Sequence, residues 1–211
     1  MPYGYLGQNQ PNQTVSNSGV FSITDVAELQ SQGKLGGSLE LIEEQTVSGS
    51  PTTIDFTSIK ENVYDVMFLS IENFVHSGST ANIGLRFYES GVLETGSVYK
   101  YSQNRITTAG VMSEADRSTG ASYILISPYS MNGGVGNYNI NCHFYNFGNS
   151  NKYSFTTYQS VAEATSNGTG FGGGILPQAS VVDGIQIYTF GRTITSGTAK
   201  LFGYKQWVTL D

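Results

Sequence analysis

The sequence predicts an all-β protein: an antiparallel β-sandwich, jelly-roll-like, preceded by an extended N-terminal arm and one short helix. Three observations predict it. Apolar residues recur with period two in run after run. Clusters of Gly, Ser, Asn and Pro separate those runs. No amphipathic helical pattern is interleaved between them, which argues against an α/β architecture.

Residues 1–37 stand apart from the rest. Up to Ser18 there is no apolar periodicity. The stretch Gly7-Gln8-Asn9-Gln10-Pro11-Asn12-Gln13 cannot bury enough surface to offset its ordering entropy, so alone it is expected to be mobile. Tyr3, Tyr5 and Leu6 at the tip could order it against a neighbour. A docking arm and a frayed terminus both remain open. Ser22 or Thr24 can cap a helix over about residues 24–32, with Asp25 in its first turn. Val26 and Leu29 share one face, and Gly33 is placed to end it. Lys34-Leu35-Gly36-Gly37 then turns the chain into a domain spanning 38–211.

In that domain Leu39 and Leu41 alternate with Glu40. Tyr64, Val66, Phe68 and Ser70 alternate with Asp65, Met67, Leu69 and Ile71. Both phases are substantially apolar, which predicts a central strand covered on both sides. Ile83-Leu85-Phe87, Tyr138-Ile140-Cys142-Phe144, Ile185-Ile187 and Ala199-Leu201-Gly203 give further alternating runs. Ser48-Gly49-Ser50-Pro51, Ser77-Gly78-Ser79, Asn132-Gly133-Gly134 and Gly148-Asn149-Ser150-Asn151 are turn clusters between runs, for about eight to ten strands in all. A jelly roll is one way for such a chain to manage its sheet edges. Ala162 to Pro177, with its glycine run, reads as a long flexible loop or a tight crossing against another backbone.

Charged residues make up only 12% of the chain, and the net charge is −6. The basic residues are scattered singly, which argues against nucleic-acid binding and against an anionic membrane partner. Few charges leave a polar surface that favours self-association. No apolar stretch approaches the ~20 residues of a membrane helix. The N-terminus has no basic-then-apolar signal pattern, so export by the usual route is not expected. The lone Cys142 excludes an intrachain disulfide.

The search for chemistry is brief. His76 and His143 have no metal spacing, and one Cys beside one His matches no zinc pattern. Cys142 and His143 are strand neighbours whose side chains diverge, so Cys142 is expected to be a buried, inert thiol. Glu43-Glu44 and Glu114-Ala115-Asp116 are the closest carboxylate groupings. Glu114 and Asp116, if extended, could meet a calcium ion with loop carbonyls, but solvated charges beside Arg117 are the plainer reading. The run Gly170–Gly174 lacks the ending of a phosphate-binding loop. No catalytic residue, cofactor or metal is expected. Aromatic residues offer the best contacts: Tyr99, Tyr101, Tyr129 and Trp207, within a set that includes Tyr123, Tyr138, Tyr145, Tyr153 and Tyr158. Such amphipathic rings meet sugars or partner subunits, and subunit contact is weighed above glycan.

Three segments carry a resemblance. The stretch from Gly7-Gln8-Asn9-Gln10-Pro11 through Ser22-Ile23-Thr24-Asp25-Val26 resembles an N-terminal segment of virion proteins from tailed phages of marine bacteria, cyanophages especially. Gly37-Ser38-Leu39-Glu40-Leu41-Ile42, with Ile54-Asp55-Phe56-Thr57-Ser58-Ile59, is similar to the opening of β-sandwich domains in phage fibre and decoration proteins. Ser196-Gly197-Thr198-Ala199-Lys200-Leu201-Phe202-Gly203-Tyr204-Lys205 looks like their closing strand. The resemblance implies a structural virion component, a capsid decoration or fibre subunit, made in the bacterial cytoplasm. It carries over no catalytic residues. Its arm would attach it to capsid or tail proteins, with Tyr3, Tyr5, Leu6, Val20 and Phe21 filling pockets. A homotrimer is the expected assembly. The alternative is a host-glycan-binding module of a tail fibre.

Overall fold

The computed structural model describes residues 23–24, 26–27, 39–78, 82–108, 110, 112–128, 137–163 and 168–204. The chain divides into a unit of residues 1–40 and a unit of residues 41–211. In the first, Ile23, Thr24, Val26 and Ala27 are helical. The other positions of the expected helix lie outside the described residues, as do Tyr3, Tyr5, Leu6, Val20 and Phe21.

The described chain runs through thirteen strands, not eight to ten. They are β1 (Leu39–Thr46), β2 (Thr53–Phe56), β3 (Val66–His76), β4 (Gly84–Glu89), β5 (Val92–Leu93), β6 (Tyr99–Thr107) and β7 (Met112–Ala121). They continue with β8 (Ile124–Leu125), β9 (Tyr138–Tyr145), β10 (Ser154–Ala162), β11 (Gly168–Leu176), β12 (Val182–Tyr188) and β13 (Ile194–Tyr204). Eight form a large sheet in the order β1-β13-β3-β9-β10-β11-β6-β7. The small sheet runs β2-β12-β4-β5, with β8 also paired to β4. The registers are antiparallel, and the two sheets make a sandwich-like, nearly all-β body.

The early strands change sheet at each step: β1 large, β2 small, β3 large, β4 small. The last strands return between them. β13 enters between β1 and β3, and β12 between β2 and β4. The large sheet is then extended by two hairpins, β10–β11 and β6–β7, beyond β9.

The core lies between the sheets, and period two places it. On β9 Tyr138, Ile140, Cys142 and Phe144 are buried while Asn139 and Asn141 are exposed. On β4 Leu85 and Phe87 face inward. The Phe87 ring meets Phe144 of the large sheet at 6.0 Å, edge to face. It meets Phe147 at 5.0 Å in the same manner. Such pairs add to the area term that drives burial.

β3 lies between β13 and β9, well inside the large sheet. Its inward phase is Met67, Leu69 and Ile71, and its other phase is half-buried. There Phe68 packs 5.0 Å from the His143 ring and 5.9 Å from Phe202. At Asn73 the backbone takes φ 50 and the register to β9 shifts, which turns Phe74 and His76 inward. This bulge bends the strand and changes the phase of its side chains.

The glycine run is a correction. Gly168–Leu176 is strand β11, paired along its length to β10 and β6, and not a loop. The tight approach also foreseen at these glycines is what the backbone shows. A Cβ on Gly172 would lie 2.4 Å from the Ser102 carbonyl oxygen and 2.6 Å from the Tyr158 hydroxyl. A Cβ on Gly174 would lie 2.5 Å from the Ile124 side chain.

Candidate functional site: a trough on the outer face of the large sheet

The outward residues of β9, β10, β11, β6 and β7 can be ordered by strand register. One row crosses all five strands: His143, Thr157, Gly173, Ser102, Arg117. Its centre has almost no side chain. The next row is Asn141, Gln159, Phe171 and Asn104. On the other flank run Tyr145, Phe155, Ile175 and Lys100. Short residues between longer ones make a trough across the strands. From β9 to β7 it crosses four strand gaps, or about 19 Å at ~4.8 Å per gap.

Two depressions follow from this pattern. One, of about 370 Å³, is lined by Ser102, Asn104, Asp116, Arg117, Phe171 and Gly173, with backbone at Gln103 and Gly172. The other, of about 420 Å³, lies towards β9 and is lined by Asn141, His143, Thr157 and Gln159. Phe171 and Gly172 border both. Phe171, 40% exposed, stands where the two depressions meet, while Phe155, 41% exposed, lies on the far side of the central row and lines neither.

The lining is polar and short of charge. It offers hydroxyls (Ser102, Thr157), carboxamides (Asn104, Asn141, Gln159) and one guanidinium (Arg117), while the Asp116 carboxylate is taken up by Gln103. At the β9 end, His143 Nε2 lies 3.1 Å from the Tyr204 hydroxyl, with the rings stacked.

Beneath the floor the interior is polar too. Gln103 Nε2 donates to Asp116 Oδ2 at 3.2 Å and to the Ser127 carbonyl at 3.0 Å. The Tyr158 hydroxyl donates to Gln103 Oε1 at 3.4 Å. Burial pushes the Tyr158 phenol well above its ordinary range, so it remains a donor. This network fixes β10, β6 and β7 under the glycines of β11 and keeps the floor in place.

The outer face of the small sheet is arranged differently. Asp55 Oδ1 accepts from the Tyr88 hydroxyl at 2.6 Å and from Gln186 Nε2 at 2.8 Å. Its Oδ2 accepts from Thr53 Oγ1 at 2.8 Å. Beside them the Arg86 guanidinium sits 3.8 Å from the centre of the Tyr188 ring.

The aromatic contacts expected from sequence divide. Tyr99 is a correction: it is 0% exposed, so it presents no surface to a sugar or a subunit. Its hydroxyl accepts from the Phe87 N–H at 2.9 Å and donates to the Glu94 carbonyl at 3.1 Å, which makes it a core tie. Tyr101 is half-buried and stacks on Tyr123 at 6.1 Å. Burial, then Tyr123, pushes its phenol up to about 12. Tyr129 and Trp207 lie outside the described residues. Tyr138 and Tyr158 are buried, and Tyr145 flanks the trough.

Cys142 is fully buried and free, and burial holds its thiol protonated. His76 is buried at the end of β3, with Nδ1 3.2 Å from the Ser77 carbonyl oxygen. Glu114 and Asp116 fall on β7, and Asp116 is held by Gln103. Among the described residues no group of three or more His, Cys, Asp or Glu could hold a metal ion. Among them, too, no helix is long and apolar enough to cross a membrane.

Sequence reasoning missed the trough. Phe171 inside a glycine run was its one visible signal: a large ring among residues that cannot cover it. Compared with known families, curated proteins and solved structures, the chain matches none.

Proposed function

We propose that this protein is a non-catalytic structural subunit displayed on a bacteriophage particle, a capsid decoration or fibre subunit. It attaches through the segment that precedes β1 and acts by multivalent contacts with other virion proteins and with its own copies, as a homotrimer. Symmetric repetition turns weak single contacts into stable attachment. The return of β13 and β12 between the first strands supports a jelly-roll reading of the winding.

One observation carries the proposal: the chain enters the sandwich at an edge strand. β1 ends the large sheet, and its Leu39 and Leu41 are 40% and 49% exposed. An edge strand offers unpaired backbone groups, and exposed leucines beside it offer apolar area to a neighbouring chain. The trough lies in the half of the sheet away from that edge. A chain held at β1 therefore leaves the trough half for display.

Deletion of residues 2–19 tests the reading. The shortened chain is expected to fold with an unchanged far-ultraviolet spectrum and to be missing from purified particles. Normal incorporation would overturn the proposal.

A further inference from the structure

The geometry points to the trough as a binding site for an uncharged oligosaccharide, laid across the strands from His143 to Arg117. The site goes beyond attachment. It borrows from the display reading only its setting, because binding can be read on the free chain.

The floor chooses the ligand class. Thr157, Gly173 and Ser102 form it, and their backbone groups belong to the ladders of β10, β11 and β6. A peptide strand needs free backbone partners and finds none in mid-sheet. A polyanion needs clustered cations, and the net charge is −6 with Arg117 at one end of the row. A lipid tail would desolvate the hydroxyls and carboxamides without pairing them. A sugar meets every feature. Its hydroxyls donate to and accept from Gln159, Asn104 and the floor hydroxyls. Its flat C–H face rests on Phe171, which borders both depressions.

The walls set the shape. Phe171 stands beside a floor without long side chains, so a pyranose can lie against its ring. The length of about 19 Å, taken from ~4.8 Å per strand gap, exceeds one ring and suits a short chain of them. Each site is open and shallow, so single-site affinity is expected to be weak and repetition on a particle supplies the rest.

Saturation-transfer NMR on the full chain tests this. The probes are neutral hexasaccharides of glucose, mannose and galactose, with a galacturonate hexamer alongside. At least one neutral hexamer is expected to receive saturation, strongest on its ring C–H protons. Phe171→Ala should weaken that binding tenfold or more. Gly173→Leu, which fills the floor from the solvent side, should abolish it. Val92→Ser, on the small sheet, should leave it unchanged. Near-ultraviolet circular dichroism of each variant confirms the fold. The proposal is overturned by no saturation of any neutral hexamer at millimolar concentration, by binding of the galacturonate alone, or by binding indifferent to both trough substitutions. It is also overturned if the trough is closed by self-association, seen in ultracentrifugation as dimers that Phe171→Ala dissolves. Loss of particle incorporation on arm deletion with no sugar binding would sink this inference and leave the display reading standing. The reverse pair of results would do the opposite.

Discussion

On the small sheet the outward polar groups close upon one another, while around the central row of the large sheet they line open depressions. On that row's floor the Thr157 hydroxyl is drawn to a neighbour, 3.4 Å from the Tyr145 hydroxyl. Asp55 draws Thr53, Tyr88 and Gln186 into one cluster on the small sheet. Gln186 is buried by that arrangement. On the large sheet Asn104, Gln159 and Thr157 line open space instead. Both faces use carboxamides, hydroxyls and an aromatic ring. The difference lies in what the neighbouring strand supplies. Asp55 lies opposite Gln186 in register, whereas Thr157 lies opposite Gly173. Polar groups bonded to one another contribute to stability, and those that line open space are available for recognition.

Four perturbations would break or sharpen that contrast. The largest acts beneath both faces. Phe87→Ala removes the ring that meets Phe144 and Phe147, and should cost about 3–5 kcal/mol in urea unfolding. Next comes Gly172, which faces the interior. A Cβ there meets the Ser102 carbonyl oxygen and the Tyr158 hydroxyl. Gly172→Ala should cost about 1–3 kcal/mol through overpacking, seen as a lower thermal midpoint. Gly173→Ala adds its methyl on the trough side, 3.2 Å from the Thr156 carbonyl oxygen, and should shift the midpoint much less.

The third perturbation compares the faces directly. Asp55→Ala strands the Tyr88 hydroxyl and Gln186 Nε2, and should cost about 1–3 kcal/mol in chemical denaturation. Gln159→Ala, in the trough, should stay within about 0.5 kcal/mol. If the two losses are equal, the contrast between polar groups bonded to one another and polar groups lining open space fails.

The smallest effect is in alkali. Burial first, then the Asp55 carboxylate, pushes the Tyr88 phenol up to about 12 from its ordinary value of 10.0. The folded chain therefore keeps this proton where the unfolded chain has released it. Its contribution is fully present below the unfolded value and is lost as pH rises through the folded one, in a window of about 10 to 12. Solvent screening at this partly exposed group keeps the effect small. Phenolate absorbance should show Tyr88→Phe removing one late-ionising ring, and Asp55→Ala should move that ring to earlier pH.

The parts of the fold legible in the sequence are those whose inward phase is apolar. β3, β4, β9, β12 and β13 announce themselves through Leu69, Phe87, Ile140, Ile185 and Leu201. β10 does not, because its buried phase is largely polar. It buries Ser154, Thr156 and Ser160 and exposes Phe155 and Val161. Neither β7 nor β11 shows a hydrophobic alternation, being respectively polar and glycine-rich. The trough is made mostly from these illegible strands, which is why it was missed. Tyr99 failed for a related reason. A tyrosine in a strand shows an apolar ring and a polar tip alike, and only the tertiary structure shows that the tip reaches Phe87 and Glu94 backbone groups inside the core.

The bare floor also limits how the trough can change. Substitution at Gly173 can only add atoms, so the floor can be filled but not recut. Its neighbour Gly172 has no room on the inner side for even a methyl group. Variation that keeps the trough open therefore falls on the side chains around Gly173, chiefly Phe171 on the wall and His143 and Arg117 at the ends. A lineage or an engineer retargeting this surface would inherit a fixed channel and rewrite only what leans over it.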